Sequence, residues 1–384
     1  MTVRTTVVVA TTAVALTAGF AAPAMAAGAG TGTRSGDHDA TRKAVRAAVK
    51  DGVPGVTLTA KDGGRTWSTT AGVGDLRTHA PRSADDRYRV GSITKTFVST
   101  VLLQLEAEGR LSLDDTVERW LPGLVHGNGH DGSRITVRQL LNHTSGIFNY
   151  TADETFGRTY FLKDGFLEHR YDTKTPEQLV AIAMTHKPDF APGASWNYSN
   201  TNYVVAGMVI QKVTGRSYGE EIRRRVIDPL HLTATSVPGT RVTVPQPSSR
   251  AYSKLARTAT GPTYDVTRLN PSLASSSGEM ISDSADLDRF YAALLKGRLL
   301  PPKQLKEMKT TVPVEGLPNA GYGLGLIDRE LSCGVHVWGH DGGIHGSNSV
   351  AVTTADGRHS VAFNFNGDWS GDTDAVVEAE FCGE

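Results

Sequence analysis

Strand signals stand at both ends of this 384-residue chain with a helical middle between them, and that separation does most to limit the fold. Near the N-terminus, "GVTLTAKDGGRTWSTTAGVGD" reads as two strands joined by a turn at Asp62-Gly63-Gly64. Strand signals return from residue 320 as "GYGLGLIDRELS", "GVHVWGHDG", "SNSVAVTTA" and "HSVAFNFNG", the last two linked by an Asp356-Gly357 turn. One antiparallel sheet satisfies both groups, with the N-terminal hairpin completing what the C-terminal strands begin. "DATRKAVRAAVKDG", stopping at Gly52, and the closing "DTDAVVEAEF" read as helices that cover the sheet. From "LSLDDTVERWLPG" to about residue 295, short helices alternate with long loops, including the helix "SNTNYVVAGMVIQKVTG", and form a mostly helical second lobe. A site is expected in the cleft between the lobes.

Composition excludes several classes. Lys plus Arg number 40 against 40 Asp plus Glu, so no global field recruits nucleic acid or anionic lipid, and no nucleic-acid partner is expected. No repeat period or low-complexity tract appears. The first residues, "MTVRTTVVVATTAVALTAGFAAPAMAAGAG", carry one early charge at Arg4, an apolar run and a small-x-small site at Ala24-Met25-Ala26. They read as a signal peptide over 1–26, followed by a linker over 27–38 and one domain over 39–384, so the protein is expected to be secreted. The run is diluted by Thr and Ala, which argues against a stable membrane anchor. Cys333 and Cys382 are the only cysteines. An oxidising compartment permits a bridge between them, with two free thiols as the alternative.

The chemistry begins in "YRVGSITKTFVSTVLLQLEAEG". Phe97, Val98, Val101, Leu102 and Leu105 recur at helical spacing, and Gly109 is the stop signal. Ser92 lies at the N-terminus of this buried helix, where free N–H groups favour negative charge. Lys95 follows one turn later on the same face. A serine needs a base, and a lysine serves as one only when neutral; burial supplies the desolvation. One S-x-x-K alone is weak, because an N-capping serine and a solvated lysine give the same pattern. Further on, "PGASWNYSNTNYVVAG" sets Tyr198 and Asn200 on a turn before a helix, and "VWGHDGGIHG" ends a strand with His340, Asp341, Gly342 and Gly343. A phenol can relay a proton to a leaving group, an amide can hold a substrate carbonyl, and the glycines let a substrate backbone lie against the strand.

In this order and spacing, S-x-x-K, Y-x-N and H-x-G resemble the penicillin-recognising serine hydrolases, in the branch holding class C β-lactamases, D-aminopeptidases and streptomycete D-alanyl-D-alanine carboxypeptidases. The resemblance to the carboxypeptidases runs across nearly the whole mature chain, through "RYRVGSITK", "LLQLEAEG", "ITVRQLLNHTSG", "YSNTNYVVAGMVI", "GYGLGL", "LSCG" and "FCG". It implies an α+β fold, an antiparallel five-stranded sheet flanked by helices, with a sheet lobe over about 39–90 and 296–384 and a helical lobe over about 91–295. It also implies a Cys333–Cys382 bridge. By the same resemblance Ser92 is the nucleophile, Lys95 its base, Tyr198 a proton shuttle, Asn200 a substrate-orienting amide and His340 an electrostatic assistant. The backbone N–H groups of Ser92 and Gly343 form the oxyanion hole. The reaction implied is acyl transfer through an ester on Ser92, without metal or cofactor. Expected partners are small peptides, D-amino-acid amides or esters, peptidoglycan stem peptides, and β-lactams as acylating inhibitors.

The chain departs from the carboxypeptidases where they grip a free carboxylate. Ile327 stands in place of an arginine after "GLGL", and Asp341 and Gly343 in place of threonines. Arg329 is two residues on, sharing a strand face with Ile327. An anion at Asp341 repels a carboxylate and attracts an ammonium, which suits an enzyme reading a free amine; a solvated turn aspartate is the plainer alternative. Glu154 and Glu279 are further candidates for the amine. His143 and Ser145 in "LLNHTSG" read as a structural turn, His126 and His130 as a surface loop, and Trp196 and Phe156 as pocket or core. A class C-type β-lactamase and a non-catalytic penicillin- or cell-wall-binding protein are the competing functions.

Overall fold

Helix and strand lie where local periodicity places them. The computed structural model describes residues 38–314 and 316–383. The segment 1–26 read as a signal and the linker after it, apart from His38, lie outside the described residues. Helix α1 spans Asp39–Lys50, and strands β1 (Gly55–Asp62) and β2 (Arg65–Gly72) form the first hairpin. Its turn is Gly63-Gly64, with φ of 54° and 98°, a left-handed pair that twists with the strands and strains any residue with a Cβ. Helix α2 covers Thr94–Ala107, α3 Asn200–Thr214 and α4 Ser284–Leu295. Strands β3 (Val312–Val314), β4 (Leu317–Tyr322), β5 (Ile327–Glu330), β6 (His336–Ile344), β7 (Ser347–Thr354) and β8 (His359–Phe365) follow, and α5 (Thr373–Cys382) closes the chain.

All strand pairs in the main sheet are antiparallel, in the order β2-β1-β8-β7-β6-β5-β4-β3. The N-terminal hairpin joins the C-terminal strands through β1 and β8, with Val56 opposite Phe365 and Leu58 opposite Phe363. The sheet has eight strands rather than five. "GYGLGLIDRELS" is not one strand: the Gly323 N–H bonds back to the Leu326 carbonyl at 2.8 Å and Gly325 takes φ 72°, so the segment folds into the β4–β5 hairpin. β3 then adds to β4 as an edge, short and carrying Pro313, as edge strands do.

Helices α1 and α5 cover one face of the sheet, and α4 covers the other. On that second side α2 is sunk so deep that 11 of its 14 residues are buried. Phe97 stacks on Phe290 of α4 at 3.7 Å between ring centroids. Each such buried side chain contributes about 1.5–3 kcal/mol, and together they fix the height at which the start of α2 meets the sheet. The helix stops at Ala107, followed by Gly109 at φ 69°. Among the described residues no helix is long and apolar enough to cross a membrane.

Cys333 and Cys382 are bonded, tying the β5–β6 turn to the end of α5 across 49 residues. Closing a loop of that size lowers the entropy of the unfolded chain, worth about 2–4 kcal/mol. Urea unfolding with reductant, or of Cys333→Ser, is expected to show a stability lower by about that amount. An unchanged midpoint would mean that α5 is held by packing alone.

Candidate active site

The strand β6 and the start of α2 meet edge to face. Gly91, at φ 54°, opens a tight 3-10 turn over Gly91–Ile93 that carries Ser92, and the Thr94 hydroxyl donates to the Gly91 carbonyl at 2.7 Å. The contact with β6 leaves no room for side chains. A Cβ on Gly91 would lie 2.8 Å from the Gly343 nitrogen, and one on Gly342 would lie 2.0 Å from the Val90 carbonyl oxygen and 2.8 Å from the Ser92 nitrogen. Gly342 thus makes room for the chain's own Val90–Ser92 segment rather than for a substrate backbone. The same approach sets the Ser92 and Gly343 amides on neighbouring segments.

Ser92 is partly exposed and Lys95 fully buried. The Lys95 Nζ lies 3.0 Å from Ser92 Oγ, 2.7 Å from Asn200 Oδ1 and 2.7 Å from the Ser277 carbonyl oxygen. The last two oxygens only accept, so they hold two N–H bonds of the amine. The third tetrahedral position faces Ser92, and in a neutral lysine it is the lone pair. Burial holds the Lys95 pKa well below the usual amine range, with the Asp341 charge opposing the shift. Asn200 therefore orients the lysine, and its Nδ2 donates to Thr151 Oγ1 at 3.3 Å.

The Lys95 Nζ also lies over the Tyr198 ring, 4.7 Å from its centroid. The Tyr198 hydroxyl is buried beside Ser92 without a geometrically complete hydrogen bond. Burial raises the Tyr198 pKa well above that of a free phenol, with the Ser92 hydroxyl partly offsetting the rise. The phenol therefore keeps its proton in the resting site.

His340 is buried with both ring nitrogens engaged: Nδ1 with the Asp341 carbonyl oxygen at 2.5 Å and Nε2 with the Tyr322 hydroxyl at 2.9 Å. Burial lowers its pKa to about 4, so the ring is neutral near pH 7. Asp341, next along the strand, has a side chain that is 70% exposed, with one carboxylate oxygen 3.7 Å from His340 Nδ1. Arg329 is committed to Asp374 of α5 and offers no carboxylate anchor near Ile327. Glu154 is exposed on a short helix and paired with Arg158. Glu279 is buried, touches the Tyr218 hydroxyl and lines a separate cavity of about 800 Å³ that contains neither Ser92 nor Lys95. Phe156 belongs to the core beside Tyr150 and Tyr160, whereas Trp196 lies half-buried near His143 and Tyr322. Sequence reasoning missed Tyr322 and the Ser277 carbonyl as parts of the site and underrated His143, whose ring lies 4.3 Å from that of Tyr198. Tyr322 was visible only as one letter of "GYGLGL", and a backbone carbonyl leaves no mark in a sequence.

Among solved structures, the chain is 64% identical to a D-stereospecific amidohydrolase from Streptomyces sp., with a TM-score of 0.87, covering 91% of this chain and 99% of that one. A D-amino acid amidase from Ochrobactrum anthropi SV3, complexed with D-phenylalanine, is 29% identical at a TM-score of 0.76, covering 89% and 98%. A penicillin-binding protein of Bacillus subtilis is 24% identical over 332 residues, 81% of this chain and 68% of that one. The chain spans about half to two thirds of the length of the curated relatives it matches. The Beta-lactamase family matches residues 41–380, from the first helix to the last, and the chain belongs to that family of penicillin-recognising serine hydrolases.

Proposed function

We propose that this chain is an exported, D-stereospecific serine amidohydrolase that forms an acyl-enzyme on Ser92 and reads the free amine of a D-amino-acid amide or ester. The observation that carries the chemistry is the Lys95 amine, with two N–H bonds held by Asn200 and Ser277 and its third position aimed at the Ser92 hydroxyl. The opposite displacement of two pKa values supports a division of roles. Lys95, pushed down, is the base; Tyr198, pushed up, is the proton donor to the leaving nitrogen. Lys95 takes the Ser92 proton as Oγ bonds to the carbonyl carbon. The resulting oxyanion lies against the Ser92 and Gly343 amides. Tyr198 delivers a proton to the departing amine and regains one from Lys95, leaving an ester on Ser92. Water then attacks the ester, and the same groups return the proton to Ser92. His340 stays neutral and holds the strand rather than exchanging protons.

The 64% identity to a D-stereospecific amidohydrolase supports the D-amide preference. Asp341 supports the amine end: it is exposed and near enough to bias Lys95. A carboxypeptidase acting on peptidoglycan stems needs a carboxylate anchor, and the arginine nearest to that position, Arg329, is taken by Asp374. Acylation by β-lactams follows from the same serine chemistry.

The experiment compares D-Phe amide with Nα-acetyl-L-Lys-D-Ala-D-Ala in the unaltered enzyme and in Asp341→Asn. D-Phe amide is expected to turn over, and Asp341→Asn to lower its kcat/KM about two- to fivefold, as loss of one exposed ion pair predicts. Turnover of the acylated dipeptide terminus instead would reverse the assignment of the substrate's end.

A further inference from the structure

His143 brackets Tyr198 twice. Its carbonyl accepts the Asn197 N–H at 3.1 Å, and its ring Nδ1 accepts the Ser199 N–H at 3.2 Å. One residue thus holds the backbone on both sides of the tyrosine while its ring lies against the phenol. His143 sits at φ 62°, a left-handed conformation that is uncommon for a residue with a side chain. The other ring nitrogen leads across the site: Nε2 meets the Tyr322 hydroxyl at 3.2 Å, and that hydroxyl meets His340 Nε2 at 2.9 Å.

The protons in this chain have one consistent arrangement. The Asp341 carbonyl only accepts, so His340 Nδ1 carries a hydrogen and, in the neutral ring, Nε2 is a lone pair. The Tyr322 hydroxyl therefore donates to His340, and its oxygen accepts from His143 Nε2–H. His143 Nδ1 is then an acceptor, as it must be, since it faces two N–H donors: Ser199 N and Asn202 Nδ2, the latter at 3.1 Å. The Ser199 N–H can only donate, so His143 Nδ1 takes the Asn202 Nδ2 end, which leaves Asn202 Oδ1 to accept from the Ser145 hydroxyl at 2.6 Å. Both histidines are pressed toward the neutral form by burial.

We propose that His143 and Tyr322 are positioning residues for the reaction on Ser92: one directed hydrogen-bond chain from Ser145 to the Asp341 carbonyl locks the Tyr198 turn to the strand His340–Gly343. The chain joins the proton donor and the oxyanion side, which belong to different parts of the sequence and meet only over Ser92. This rests on reading Ser92 as the nucleophile and Tyr198 as its shuttle. It assigns work to a turn that the sequence marks only as structural.

The test has two readouts. In ¹⁵N-histidine NMR at pH 7, His143 should carry its hydrogen on Nε2 and His340 on Nδ1; either ring in the other tautomer, or charged, overturns the chain. Tyr322→Phe removes the central hydroxyl, and Asn202→Asp turns the donor facing His143 Nδ1 into an acceptor at nearly constant volume. Each variant is expected to slow acylation of Ser92 by a labelled penicillin at least tenfold, and to lower kcat for D-Phe amide similarly with KM within about threefold. If Tyr322→Phe does not fold, Asn202→Asp decides alone. A folded variant that acylates at the normal rate refutes the positioning role even where D-amide turnover stands. Slowed penicillin acylation without D-amide turnover in the unaltered enzyme refutes the substrate and keeps the positioning role.

Discussion

Ser92→Ala is expected to lose turnover of any amide or ester substrate by about 10⁴-fold or more, down to what binding and the oxyanion donors alone provide. Nothing nearby replaces the lost hydroxyl. Lys95 is fully buried and held by Asn200 and Ser277, so it cannot swing forward to attack. Tyr198 keeps its proton and is a weak nucleophile. The fold should tolerate the change, because Ser92 is partly exposed in a turn rather than packed in the core, and Tm is expected to shift only slightly. Mass spectrometry after incubation with a penicillin supplies the second readout: one acyl adduct on the unaltered enzyme and none on Ser92→Ala. Residual activity at a tenth of normal would remove Ser92 from the mechanism and all else built on it.

Lys95→Arg should cost about 10³-fold in acylation rate although its reach is similar, because it puts a permanent cation in place of the neutral amine and a guanidinium does not give up its proton at any working pH. It also carries five N–H donors into a pocket shaped for one nitrogen and two acceptors. With Lys95 as the proposed base, the active form of the unaltered enzyme requires that amine to be neutral. Its kcat/KM for acylation should rise with pH through a single ionisation whose midpoint lies well below that of a free lysine, in the direction burial moves the group. Lowering the pH through that midpoint protonates the base and removes activity. The limb should be absent from the residual activity of Lys95→Arg. A limb that persists there would move the base to another group. His340 is not that group at neutral pH, since its pKa is pushed down to about 4 and both its nitrogens are engaged.

Much of this site was legible in the chain. Ser92 and Lys95 are three residues apart where a 3-10 turn runs into α2, and that one-turn spacing puts their side chains within reach. The apolar repeat from Phe97 to Leu105 announces that the helix is buried, and burial moves a lysine pKa. The strand pairs at Gly63-Gly64 and Asp356-Gly357 came from turn chemistry, and both turns lie between paired strands. The width of the sheet did not come from the sequence. β3 and β4 are short, exposed and interrupted, so they carry little alternation, and they exist because β5 offers an edge.

The division follows from distance along the chain. Periods of 3.6 and 2 are set by adjacent residues, so the sequence alone determined that there is a buried helix with a serine and a lysine at its mouth, a hairpin at one end and strands at the other. Which acceptors meet the lysine depends on segments 105 and 182 residues away, and no local rule selects Asn200 or the Ser277 carbonyl. Tertiary structure likewise decided that Gly342 yields its space to Val90 and Ser92, that Arg329 turns to Asp374, and that His143 reaches His340 through Tyr322. A buried polar group must find a partner or pay for its desolvation. Folding alone settles which partner that is.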